Sequence, residues 1–207
     1  MDPVRHRAMH PLATDRGLSG LISVTGAKQI NRRLVMSKWI FVDIEATGRS
    51  PIHGTMTEFG AVDYKTRQTF HGVIWESRPA EDNPAVSVIT GKLVTPVNQV
   101  MADFDQWLRA LGKDRPIFVS DNPAYDFQWI SAAFDAVGMD NPFGHSARRI
   151  SDFWAGLQRD WGDTQSWKRF RVTPHDHNPV HDAMGNVEAF ERIMQIAAGA
   201  SATDPEK

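Results

Sequence analysis

The segment Phe41-Val-Asp-Ile-Glu-Ala-Thr-Gly48 constrains this chain more than any other. The residues leading into it, Trp39-Ile-Phe-Val, are apolar at every position, the pattern of a strand buried on both faces. In a strand, residues i and i+2 point to the same side, so Asp43 and Glu45 share one face, roughly 6–7 Å apart. Two carboxylates at the end of a buried strand repel each other and resist desolvation. A divalent cation relieves both problems. A solvated strand end would also accommodate the pair, so the motif gains meaning only from what accompanies it.

The surroundings predict a mixed α/β arrangement. Residues 56–64 and 68–76 read as two further strands, joined by a polar hairpin turn at Lys65-Thr-Arg. A segment rich in Pro and Asn leads to a helix over 97–111, with Val97, Val100, Met101, Phe104, Leu108 and Leu111 at helical spacing. Pro116-Ile-Phe-Val-Ser is a short strand running into Asp121-Asn-Pro, where Asn122 or Asp121 can cap and Pro123 suits a first turn. That helix covers 123–137 and ends at Gly138. A weak strand follows at 147–152. A last helix starts after Asn178-Pro179, with Val180, Ala183, Met184, Val187, Phe190 and Met194 inward. Three antiparallel strands, then helices alternating with two more strands, define an α/β protein with helices on a mixed sheet.

Composition narrows the chemistry. Among 207 residues there is no cysteine, so disulfides and thiolate metal sites are excluded and any metal must sit on oxygen or imidazole. No apolar run nears the roughly 18 residues that span a bilayer, and no signal-peptide pattern opens the chain. A cytoplasmic location is the expectation. The net charge of −2 is unevenly spread, with seven Lys/Arg against two Asp in residues 1–38 and sixteen against twenty-three acidic residues thereafter. An acidic body does not clamp duplexes in bulk, but it suits an enzyme that gathers cations and holds a few phosphates. Residues 1–37 lack periodic patterning and carry Pro3, Pro11, Gly17, Gly20 and Gly26. They are expected to be a disordered or non-native extension, with residues 38–198 as the domain and 199–207 as a flexible tail.

Two further elements carry acidic or imidazole groups. Asp126 lies in the first turn of the 123–137 helix, beside its apolar stripe and just past a strand end, where α/β sheets gather ligand sites. His175-Asp-His-Asn-Pro-Val-His-Asp182 puts Asp182 early in the last helix and His177 in the loop before it. Each element alone would also suit an ordinary helix start. Between them, Trp161, Trp167, Lys168, Arg169, Phe170 and Arg171 mix ring faces for stacking with cations for phosphates, which marks a candidate strand-contacting segment.

Asp43-Ile-Glu-Ala-Thr-Gly48, Asn122-Pro-Ala-Tyr-Asp126 and His177-Asn-Pro-Val-His-Asp182, in this order and at these separations, resemble the three motifs of the DEDDh exonucleases. That family belongs to the ribonuclease-H-like superfamily, with polymerase proofreading subunits, oligoribonuclease and ribonuclease T. The resemblance spans about residues 38–197. It implies a ribonuclease-H-like five-stranded sheet, three strands antiparallel and two parallel, and a metal-dependent 3′→5′ exonuclease releasing nucleoside 5′-monophosphates from single-stranded RNA or DNA 3′ ends. It implies two Mg²⁺ or Mn²⁺ ions on Asp43, Glu45, Asp126 and Asp182, with His177 as general base. The four-residue gap to Asp182 selects His177 over His175 and His181. Ala46, Thr47 and Gly48 would lie by the terminal nucleotide, and Trp167, Lys168, Arg169 and Arg171 by the strand. Tyr125 stands where many relatives carry Phe. RNA is favoured slightly over DNA, because the domain resembles the small RNA-trimming members, and the same analogy admits a homodimer. Two rival readings compete: a catalytically silent nucleic-acid or partner-binding module on the same fold, and a zinc hydrolase using His175, His177, His181 and Asp182. The zinc reading leaves Asp43, Glu45 and Asp126 unexplained.

Overall fold

A computed structural model describes residues 38–74 and 95–199 of the chain. The expectations for residues 1–37 and 200–207, for the end of the third strand at 75–76 and for most of the Pro- and Asn-rich segment lie outside the described residues. Five strands form one sheet: β1 Lys38–Ala46, β2 Met56–Asp63, β3 Thr69–Val73, β4 Pro116–Ser120 and β5 Ala147–Arg149. Their order is β3-β2-β1-β4-β5. The hairpin strands β2 and β3 run antiparallel beside β1, while β4 and β5 continue parallel on its other side. The helices are α1 Val97–Ala110, α2 Pro123–Ala136, α3 Ile150–Gln158 and α4 Pro179–Ala197, with a 3-10 turn at Ser166–Phe170.

Alternation along β1 sorts the core into two layers. Ile40, Val42 and Ile44 point to the face covered by Val100, Met101, Phe104 and Leu108 of α1 and by Trp129, Ile130 and Phe134 of α2. Phe41 points to the opposite face, where it meets Val187 and Phe190 of α4 together with Trp154, Trp167 and Phe170. Asp43 and Glu45 continue the row begun by Phe41, so period-2 geometry directs both carboxylates to the α4 side. Burial on both faces is why Trp39–Val42 carries no polar residue before Asp43.

The turns obey local chemistry. Asp63 Oδ2 accepts from the amide and hydroxyl of Thr66, and Arg67 takes a left-handed φ of 60°, which closes the β2–β3 hairpin. Gly138 ends α2 with φ 68°. Asn178 caps α4 by accepting from Val180 N at 3.0 Å, with Pro179 in the first turn. The weak strand expected at 147–152 is corrected: it stops at Arg149, and α3 begins at Ile150. Ile150 and Trp154 are buried at helical spacing, with Leu157 packed beside them, and this stripe overrides the extended pattern once pairing with β4 is exhausted at Ser120.

Candidate active site

The carboxylates meet where the end of β1 faces the start of α4. What allows this approach is Gly60 on β2, paired directly with Asp43. A Cβ at Gly60 would lie 2.3 Å from both Pro179 C and Val180 N, so only glycine lets the first turn of α4 rest on the sheet. Asp182, one turn further on, then reaches β1. Ligand oxygens of Asp43, Glu45 and Asp182 all lie within 4.8 Å of one another, and this is the one such acidic or imidazole group among the described residues.

Electrostatics make the cluster costly without a cation. Burial pushes the Asp43 carboxyl well above the usual range, and Asp126, Asp182 and Glu45 add to the effect while Arg171 opposes it. Burial likewise raises Glu45, with Asp182 and Glu58 adding to it and His177 and His175 opposing. Asp182 is 1% exposed; its Oδ1 finds no hydrogen-bond donor, and Oδ2 meets only the His175 ring, with Nδ1 at 2.6 Å. An orphaned carboxylate oxygen buried beside two more carboxylates is the donor set a hard divalent cation needs. The residues present fit such an ion.

Asp126 is buried in the first turn of α2, and burial lifts it to about 7, with Asp121 raising it further and the Ser120 hydroxyl opposing. It sits near enough to act on Asp43 but outside the tight group of three. The histidines divide clearly. His177 is mostly exposed, holds a left-handed φ of 61°, and has Nδ1 3.6 Å from Glu45 Oε1. The His175 ring lies tilted against it, centroids 4.6 Å apart and planes at 59°, and contacts Asp182. His181 turns away to Asp176, which also accepts from the amide of Asn178 and so forms part of the helix start.

The loop after β1 is held tightly. Thr47 and Thr55 exchange bonds across it, the Thr55 amide donating to Thr47 Oγ1 at 3.0 Å and the Thr47 amide to Thr55 O at 2.9 Å. Gly48 and Gly54 touch backbone to backbone, where a Cβ on either would fall within 3 Å of the other's main chain. The Tyr125 hydroxyl donates to the Gly48 carbonyl at 2.9 Å. Tyr125 thus ties α2 to the Ala46–Gly48 loop, a role its side chain type alone did not reveal.

The segment expected to contact the strand splits. Trp167 is fully buried, its ring N–H donating to Ser151 Oγ and Thr164 O at 3.1 Å, so it offers no free face to a base. The expectation of a stacking Trp167 is corrected, since a 3-10 turn rotates the ring into the core beneath α4. Arg169 lies over Trp154 and Phe170 and does not line the cavity beside Asp43. Lys168 and Arg171 do line it.

The fold is the one seen in DEDDh-type nuclease domains. A solved nuclease domain of 3′hExo, described as a DEDDh family member bound to rAMP, superposes with a TM-score of 0.61 at 13% identity, covering 83% of this chain and 97% of that one. The zinc-bound Escherichia coli ExoI–ssDNA complex superposes at 0.54 with 16% identity over 78% of this chain and 40% of that one. Residues 38–194 match the 3′-5′ exoribonuclease Rv2179c-like domain, and the chain belongs to that family. It is a 3′→5′ exonuclease. A relative, the 3′-5′ DNA exonuclease Cap18 of Escherichia coli, is 28% identical over 177 residues, 77% of this chain and 92% of that protein. No helix among the described residues is long and apolar enough to cross a membrane.

Proposed function

We propose that the enzyme removes nucleoside 5′-monophosphates one at a time from single-stranded 3′ ends, with RNA preferred over DNA. The observation that carries this reading is the Asp43–Glu45–Asp182 group, whose oxygens converge within 4.8 Å around a buried, unsatisfied Asp182 oxygen. The exoribonuclease description of the matching family supports RNA, and rAMP in the 3′hExo structure accords with a monophosphate product. Cap18, a DNA exonuclease, keeps DNA as the competing substrate.

Asp43, Glu45, Asp126 and Asp182 would hold two divalent cations, Mg²⁺ or Mn²⁺. Bound there, the cations supply Lewis-acid activation of the attacking water and neutralise charge growing on the leaving oxygen. His177 would take a proton from the attacking water as its oxygen bonds to phosphorus, while the bond from phosphorus to the upstream 3′ oxygen breaks and that oxygen gains a proton from solvent. Glu45, 3.6 Å from Nδ1, orients the ring for this transfer. His175 steadies Asp182 through its 2.6 Å contact. Ala46, Thr47 and Gly48, braced by Thr55 and Tyr125, would form a rigid wall against the terminal nucleotide, which favours attack at a free end.

The test is purified protein with Mg²⁺ or Mn²⁺ on 5′-labelled single-stranded RNA and DNA of one sequence, beside Asp43→Asn. A ladder shortening from the 3′ end, faster on RNA and absent in the variant, is expected. Equal or faster shortening of DNA would reverse the substrate preference. A folded wild-type protein that binds either strand without shortening it would instead favour the silent binding module.

A further inference from the structure

Beside Asp43 the molecule has a cavity of about 490 Å³ whose other walls are Asp121, Lys168, Arg171, Thr173, Pro174 and His175. Two cations face one bonded carboxylate there. Lys168 Nζ lies 2.6 Å from Asp121 Oδ2 and Arg171 Nη2 lies 3.8 Å from the same oxygen. Asp121 is itself anchored, its Oδ1 accepting from Ser151 Oγ at 3.3 Å and its carbonyl from Arg149 Nε at 3.2 Å.

Both cations are held in place before any ligand arrives. Trp167 lies under them, with Lys168 Nζ 5.9 Å and the Arg171 guanidinium 5.2 Å from the ring. Arg171 Nη2 donates to the fully buried Asn186 at 2.5 Å, and its side chain is only 12% exposed. Gly185 of α4 leaves room for its stem: a Cβ there would press on Arg171 Cγ and Cδ at 3.4 Å and on Thr173 O at 2.8 Å. A fixed cation loses little freedom on binding an anion. Asp121 is the one carboxylate bonded to the pair, while Asp43, the other carboxylate on the cavity wall, belongs to the acidic group with Glu45 and Asp182.

We propose that Lys168 and Arg171 form a phosphate cradle for the substrate strand, in the cavity that Asp43 also lines, that takes the backbone phosphate immediately 5′ of the one being cut. This rests on the exonuclease reading of the acidic centre, which assigns the scissile phosphate to Asp43. A strand ending in a 3′-hydroxyl carries no phosphate beyond the scissile one on the terminal side. A neighbouring anion subsite must therefore serve the upstream link, unless the strand ends in a 3′-phosphate. The cradle supplies affinity for strands with at least three nucleotides, since a dinucleotide with a free 5′ hydroxyl has no second link.

The experiment measures equilibrium binding by fluorescence anisotropy, with Ca²⁺ replacing the activating metal. The ligands are short 3′-hydroxyl strands carrying one neutral methylphosphonate at each link in turn. Lys168→Ala is expected to weaken binding of the all-phosphodiester strand about five- to tenfold, the range for a partly exposed charge-assisted contact. Its salt slope should shrink by about 0.7, the loss of one phosphate contact on a single strand. Neutralising the first upstream link should weaken wild-type binding by the same factor and leave Lys168→Ala no weaker than wild type. Arg171→Lys, which keeps the charge and spares the core, should show the same pattern at smaller amplitude. A Lys168→Ala penalty that persists with every link neutralised in turn would overturn the cradle. So would tighter wild-type binding of a 3′-phosphorylated strand that Lys168→Ala alone abolishes, because the anion would then be terminal. Turnover of the unmodified strand with Mn²⁺ is read separately, so an inactive protein would fail the exonuclease reading while the binding series still decides the cradle.

Discussion

The carboxylates and the histidines of this site are built on opposite principles. Asp43 and Glu45 ride on a strand buried on both faces, and Asp182 on a helix seated against Gly60; Asp182 is 1% exposed. His175 and His177 ride on the loop before that helix, and the His177 side chain is 69% exposed. Ligands for a hard cation must stay fixed while charge builds nearby, so they belong on rigid elements. A group that takes a proton and passes it to solvent needs contact with water, so it belongs on a loop. The division of labour proposed above follows from secondary structure.

The largest effect should come from the rigid side. Asp43→Asn removes a proposed ligand with little change of shape and is expected to lower turnover by about 10³-fold or more, since an activating cation is worth several kcal/mol. Its circular dichroism should match wild type, while the thermal shift on adding Mn²⁺ shrinks. An Asp43→Asn enzyme with substantial residual turnover would take this carboxylate out of the centre.

On the exposed side, His177→Ala should lower kcat about 10²-fold and leave the Mn²⁺ thermal shift intact. His175→Ala should cost less in kcat but weaken that shift, because its partner is Asp182. Reversed results in paired kinetics and melting curves would exchange the roles of the two histidines.

Gly60→Ala tests the seat that joins the two sides. The added methyl would meet Pro179 and Val180 backbone at 2.3 Å and must push α4 away. Overpacking of this kind costs about 1–3 kcal/mol, and an outward shift of Asp182 should reduce turnover about 10-fold to 100-fold. A variant with unchanged stability and rate would show that α4 is not held at this point.

The smallest effect concerns pH without metal. Burial lifts Asp43 well above its ordinary range and Asp126 to about 7, so between roughly pH 4 and 7 the folded protein binds more protons than the unfolded chain. These groups therefore make stability in EDTA fall as pH rises through that window. Asp126→Asn should flatten the dependence and melt a few degrees above wild type at pH 7.5, with little difference at pH 4. Parallel melting profiles for the two proteins would remove Asp126 from the strained cluster.

Much of this was legible in the sequence, for reasons that are local. Alternation placed Asp43 and Glu45 on one face, helical spacing located α1, α2 and α4, and Asn178-Pro179 marked a helix start that the backbone adopts. The failures were contacts between distant segments. A Trp between cations looks the same in sequence whether its ring faces a base or the core, and Trp167 proved to be the floor beneath Lys168 and Arg171. α3 is hidden in the sequence because a three-residue strand flows directly into it. Gly60 is silent in the sequence because the backbone it admits belongs to α4.

By itself, then, the sequence determined residue types, periodicity and caps, all of which are settled by backbone sterics within a few neighbours. Tertiary structure alone decided that His175 faces Asp182 while His177 leans on Glu45, that Asp126 stands outside the tightest carboxylate group, and that two cations share one carboxylate beside Asp43. Those distances depend on how closely α4 and the 3-10 turn pack on the sheet, and close packing is a property of the assembled core that no single segment encodes.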